Sequence, residues 1–82
     1  MRQIITHSAQ LGRILAGRRK ASRQSQRALA IKLAISQNRL SEIESNPGTL
    51  AVDRLLELAN LLGLELLIQD KPSAASKPKA EW

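Results

Sequence analysis

Residues 26–44 read Gln26-Arg27-Ala28-Leu29-Ala30-Ile31-Lys32-Leu33-Ala34-Ile35-Ser36-Gln37-Asn38-Arg39-Leu40-Ser41-Glu42-Ile43-Glu44, and this stretch decides the fold. Leu29, Ala30 and Leu33 recur at helical spacing, which predicts a short helix over about 25–33. Ser25 can cap it by accepting from a first-turn N–H. Ala34-Ile35 then interrupts the period. Ser36 caps the next helix, about 36–45, which carries Leu40 and Ile43 inward. Two short helices joined by a tight break follow the helix-turn-helix plan. Ala30 is small, as a close crossing of two helices requires, and Ile35 and Leu40 anchor the second helix on the core.

That arrangement leaves Gln37, Asn38 and Arg39 on an exposed first turn, the part of such a helix that enters a DNA major groove. Gln and Asn each present a donor beside an acceptor, which matches adenine N6 and N7, while Arg matches guanine O6 and N7. One good bidentate pair contributes about 1–3 kcal/mol of base discrimination. Ser36 and Ser41 hydroxyls suit phosphate oxygens or base edges, and the free N–H groups of the helix start add phosphate affinity. Arg23 and Arg27, around the start of the preceding helix, suit the DNA backbone. Each of these side chains alone is an ordinary solvated one. Their assembly in one basic segment is what points to recognition.

Outward from this stretch, Leu11, Ile14, Leu15 and Arg18 predict a first helix over about 8–20, with Thr6 or Ser8 as its cap. Asn46-Pro47-Gly48 stops the third helix. A fourth follows over about 51–62, with Val52, Leu55, Leu56, Ala59 and Leu62 inward and Gly63 at the position that ends it. Leu64, Leu66 and Ile68 then alternate with Glu65, Leu67 and Gln69, a strand pattern. A lone strand is not stable in water, so its expected partner is the same strand of a second chain, with Ile4-Ile5 offering a short extra pairing. The fold expected is all-α: a four- to five-helix domain over 1–70, closed by a short strand that pairs across a homodimer. Residues 71–82, with two Pro, small residues and lysines, read as a flexible tail.

The chain has 82 residues and a formal net charge of +6. Residues 1–41 hold nine basic side chains and no acidic one, whereas residues 42–82 hold four basic and seven acidic, so the halves carry +9 and −3. Such segregation suits a polyanion. A membrane surface fits poorly, because no helix pairs a basic face with large interfacial aromatics. Phe and Tyr are absent and Trp82 is the one aromatic, which argues against modules that stack single-stranded bases. Duplex DNA read by polar side chains remains. With no Cys and one His, His7, neither a disulfide framework nor a zinc site is expected, and no cofactor is called for. No enzymatic constellation emerges either. Glu42 and Glu44 lie two apart and face different ways, the serines serve as caps and contacts, and the four Gly are scattered.

The sequence resembles the Xre/Cro-type helix-turn-helix regulators over about residues 8–63. The likeness rests on Leu11-Gly12, Arg19, Ser25-Gln26, Leu29-Ala30, Ile35-Ser36, Leu40, Ile43-Glu44 and Leu55-Leu56-Glu57-Leu58-Ala59. It implies that Gln26 binds a phosphate and supports the recognition glutamine, Gln37. It also implies a partly buried salt bridge between Arg19 and Glu44, whose severing costs about 3–5 kcal/mol when buried. One departure is Ala34, where the family usually carries Gly in the turn; a left-handed Ala costs about 1 kcal/mol.

Gln37, Ser41, Glu44-Ser45-Asn46-Pro47 and the closing Glu81-Trp82 narrow the resemblance to the HipB-type antitoxins. What that implies is a cytoplasmic, nucleoid-associated bacterial repressor that binds a palindromic operator as a dimer. Its further partner would be a HipA-type serine/threonine kinase toxin, with Trp82 as the toxin anchor. A sole Trp on a flexible segment has no place in a small core, yet Trp is a favoured interface anchor. A stand-alone phage-like repressor without a toxin partner is the alternative.

Overall fold

Serine hydroxyls start the two central helices. In the computed structural model, which describes residues 1–72, Ser25 Oγ accepts from Ala28 N at 3.0 Å and Ser36 Oγ accepts from Arg39 N at 3.0 Å. Four α-helices follow in order: α1 (Ser8–Ala21), α2 (Gln26–Leu33), α3 (Gln37–Ser45) and α4 (Val52–Leu61), with a 3₁₀ turn at Pro47–Thr49 before α4. The all-helical expectation holds, and the helices match the predicted ones to within a residue or two. The expected cap of α1 differs. His7 occupies the N-cap position, and Gln10 reaches back so that its Oε1 accepts from Thr6 N at 2.7 Å and His7 N at 3.2 Å. The long amide side chain thus satisfies the N–H groups at and before the cap, whereas a Thr6 or Ser8 hydroxyl was expected to accept from an N–H of the first turn.

Three helices end in the same way, on a residue with positive φ. Ala34 lies at φ 59°, ψ 41°, with Ile35 N donating to Ala30 O at 3.0 Å and Ala34 N to Ile31 O at 3.1 Å. Arg23 (φ 58°) and Gly63 (φ 72°) repeat this pattern through Gln24 N to Arg19 O and Leu64 N to Ala59 O. These paired bonds make the Schellman motif, which satisfies carbonyls that the helix leaves over. Two more such carbonyls are taken by arginines. Arg18 Nε donates to Leu62 O at 2.9 Å, tying α1 to the end of α4, and Arg54 Nη1 donates to Leu33 O at 2.9 Å, tying α4 to the end of α2.

The core is aliphatic: Leu15, Leu29, Ala30, Leu33, Leu40, Ile43, Leu58 and Leu62, with Leu11, Ile35, Leu50, Leu55 and Leu64 packed around it. Burying apolar area of this kind drives the assembly. At Gly12, α1 meets the end of α3 so closely that a Cβ would collide with the Glu44 carbonyl oxygen and lie 3.1 Å from Pro47 Cδ.

Two expected core residues are not in the core. Val52 is 67% exposed and Leu56 48%, while Leu58 is buried instead. The inward stripe of α4 runs through Leu55, Leu58, Ala59 and Leu62, one residue round from the predicted line, and the first turn passes beyond its cover. Residues 64–70 carry no ladder hydrogen bonds, and among the described residues no strand forms. Leu64 packs on the core, while Leu66, Leu67 and Ile68 face solvent. Arg2 bonds Gln69 there, bringing the two ends of the described chain together. The expected tail falls almost wholly outside the described residues, Trp82 with it.

Candidate nucleic-acid interface

The α2–turn–α3 unit is held on α1 by one polar cluster. Arg19, buried on α1, donates from Nε to Glu44 Oε2 at 2.7 Å and from Nη2 to Glu44 Oε1 at 3.2 Å. Its Nη1 donates to the Gln24 carbonyl oxygen at 2.8 Å, in the turn that leads to α2. Gln26 Nε2, at the first position of α2, donates to Glu44 Oε1 at 3.0 Å. One carboxylate thus collects α1, α2 and α3. The side chains of Arg19 and Glu44 are 10% and 8% exposed, and every buried polar side-chain atom among the described residues has a partner. A buried pair so fully hydrogen-bonded fixes geometry where a half-satisfied one would cost stability.

This fixes where α3 presents its first turn. The left-handed Ala34 reverses the chain, Ile35 packs on the core, and Ser36 closes the helix start. Gln37 and Asn38 are then exposed, as expected. Arg39 is different: half-buried, its Nη1 lies 3.3 Å from Glu42 Oε1 one turn on. Ser41 is half-buried beside them. Arg39, Ser41, Glu42, Ser45, Asn46 and Thr49 line an open groove of about 420 Å³ between α3 and the 3₁₀ turn.

Arg23 and Arg27 are both exposed, and among the described residues neither forms an ion pair. The left-handed backbone of Arg23 places it at the corner between α1 and α2. Gln26 is half-buried, with its amide nitrogen turned to Glu44; the second N–H of that amide and its Oε1 remain to bond elsewhere. Glu42 and Arg54 were not among the residues expected to matter. Arg54 acts across helices, through the Leu33 carbonyl, which spacing along the sequence cannot reveal. Glu42 carried a signal that was available: it follows Asn38 by four residues on one helix face.

Taken chemically, the surface offers exposed amide side chains at a helix N-terminus, flanking guanidinium groups and a rigid base beneath them. That is a surface for reading a polyanion with edges to discriminate. Among the described residues no helix is long and apolar enough to cross a membrane.

Comparison with known proteins agrees. The profile of the family described as Helix-turn-helix matches residues 15–68. Three solved chains are similar in structure, each with a TM-score of 0.75, 26% identity and 84% of this chain covered. One is an "MDT Protein", 97% of which is covered. Another comes from a "HipA-HipB-O2-O3 complex", also covered to 97%, and the third from a "HipB-O1-O2 complex", covered to 100%. No curated protein matches the sequence.

Proposed function

The chain belongs to the Xre-type helix-turn-helix family, a DNA-binding regulator similar to HipB, and from that premise we propose that it represses its own operon as the antitoxin of a HipA-type kinase. The observation that carries the DNA half of this reading is the first turn of α3. Gln37 and Asn38 stand exposed there on a helix locked in place by Arg19, Glu44 and Gln26. Gln37 and Asn38 read base edges, Arg39 and Ser41 extend the reading surface, and Ser36 and Gln26 approach phosphates at the two helix starts. Arg23 and Arg27 supply affinity that does not depend on sequence.

The protein acts as a homodimer. Leu66, Leu67 and Ile68 are exposed on the segment after α4, as are Val52 and Leu56 on α4, and a second copy buries such a surface. Leu64, Leu66 and Ile68 pair with their counterparts as a two-stranded ribbon, which completes the backbone hydrogen bonds a single chain leaves open. Residues 1–70 serve as the DNA-binding and dimerisation unit, and residues 71–82 as the tail that carries Trp82 to the kinase.

The toxin half rests on likeness to the chain from the complex named for HipA, HipB, O2 and O3; the other is named for HipB, O1 and O2 alone, and the O elements we read as operators. Footprinting on the DNA upstream of the reading frame tests the operator half. Protection of an inverted repeat, with half-sites whole helical turns apart, is the expected result. Protection without two-fold symmetry, or none, would overturn it.

A further inference from the structure

Glu42 is an anomaly on this surface. Between residues 1 and 45 the chain has two acids, Glu42 and Glu44. Glu44 is enclosed by Arg19 and Gln26. Glu42 faces solvent with its side chain 70% exposed. With Leu40 and Ile43 turned into the core, a 3.6-residue helix sends Asn38, Glu42 and Ser45 out along one line, opposite the core. An acid in the middle of the outward stripe repels phosphates. Its ion pair with Arg39 does not explain it, because an exposed pair one turn apart adds little stability.

The chemistry of the groove does explain it. A carboxylate only accepts hydrogen bonds. In the major groove cytosine presents N4–H₂ with no acceptor of its own beside it, whereas thymine O4 and guanine O6 and N7 would face the carboxylate as acceptors. Arg39, held 3.3 Å from Glu42, supplies the complementary donors, and guanine O6 and N7 are their match. We propose that the Arg39–Glu42 pair reads a C·G base pair in each half-site, with Glu42 accepting from cytosine N4 and Arg39 donating to guanine. Glu42 is then a specificity residue: it lowers overall affinity for DNA and rejects thymine and guanine at one position. This rests on the reading of α3 as the recognition helix.

The test uses the full chain and a library of duplexes with a randomised centre between fixed ends. Wild type and Glu42→Gln are each put through selection, and their melting temperatures are compared to show that both fold. Wild type is expected to enrich a symmetric site containing an invariant C·G pair in each half, and to bind a T·A replacement there about tenfold more weakly or worse. Glu42→Gln, whose amide both donates and accepts, is expected to lose the preference at that position alone and to bind non-cognate duplexes more tightly. If Glu42→Gln keeps every preference and simply binds all duplexes more tightly, Glu42 is only a repelling charge and the proposal is overturned. If wild type enriches no sequence, the DNA-reading function itself fails and the proposal goes with it.

Discussion

Arg19 on α1 and Glu44 on α3 meet in a two-pronged pair, Nε to Oε2 at 2.7 Å and Nη2 to Oε1 at 3.2 Å, almost out of contact with water. Both ends have other duties, Arg19 to the Gln24 carbonyl and Glu44 to Gln26, so removing either partner strands several polar groups at once. Arg19→Ala or Glu44→Ala is expected to cost about 3–5 kcal/mol of stability. Arg19→Lys keeps the charge but not the fork, and is expected to fall well short of full rescue. Urea unfolding of the three variants checks the ranking; an Arg19→Lys protein as stable as wild type would show that charge alone suffices.

Backbone conformation supplies a pair of opposite predictions. Ala34 sits at φ 59°, a left-handed geometry that costs an L-residue about 1–2 kcal/mol, while the extra freedom of unfolded glycine costs about 0.4–1 kcal/mol. The first effect wins, so Ala34→Gly is expected to raise the melting temperature by a few degrees. Gly12→Ala goes the other way. Alanine's better helix propensity contributes about 1 kcal/mol, but overpacking costs about 1–3 kcal/mol. The added methyl meets the Glu44 carbonyl oxygen, which is backbone of α3 and cannot swing aside. Gly12→Ala is therefore expected to melt lower, and calorimetry on both variants reads the two signs.

Why some of this is legible in the sequence and some not follows from distance along the chain. Ser25, Ser36 and Gly63 act on backbone groups within a few residues, so their caps can be read from local spacing. The left-handed Ala34 is legible only against a family that prefers Gly there. Arg23 adopts the same conformation with no such signal, since nothing in its residue type announces a positive φ. Arg18 and Arg54 close helix ends 44 and 21 residues away, which no periodicity encodes. Val52 and Leu56 fit the inward stripe by period, yet period alone cannot say how far the core extends over the first turns of α4. At the site, the exposure of Gln37 and Asn38 is readable from the period, but the commitment of Arg39 to Glu42 needs coordinates.

Charge and recognition separate by salt. Arg23 and Arg27 are exposed cations in the basic half of the sequence, assigned to phosphates. Replacing either with Ala is expected to weaken binding to every duplex alike and to reduce the slope of log K against log salt by about 0.9 for each phosphate no longer neutralised. Gln37→Ala is expected to leave that slope unchanged while flattening the preference among bases. Fluorescence anisotropy titrations at several salt concentrations separate the two. A changed slope for Gln37→Ala would move that residue from bases to backbone.

The dimer surface makes a prediction about alternation. Along 64–69 an extended chain sends Leu64, Leu66 and Ile68 to one face and Glu65, Leu67 and Gln69 to the other. Ile68 is 97% exposed in the single chain, so a charge there costs that chain nothing, whereas in a paired ribbon it faces the core of the interface. Ile68→Asp is expected to give a folded monomer and Glu65→Lys an unaltered dimer. Sedimentation with circular dichroism checks both, and a dimeric Ile68→Asp would place the interface elsewhere.

Trp82 is the chain's one aromatic residue, and a Trp buried in a partner's pocket commonly stabilises a complex more than any other single side chain. If residues 71–82 tether the kinase, a chain cut after Asp70 is expected to bind the operator with its usual affinity and salt slope but to lose the toxin. Trp82→Ala alone is expected to weaken toxin capture at least thirtyfold, the equivalent of about 2 kcal/mol for an anchor residue. Co-purification with a co-expressed HipA-type kinase, followed by calorimetric titration, measures the loss. Undiminished capture by the shortened chain would put the toxin-binding surface on residues 1–70.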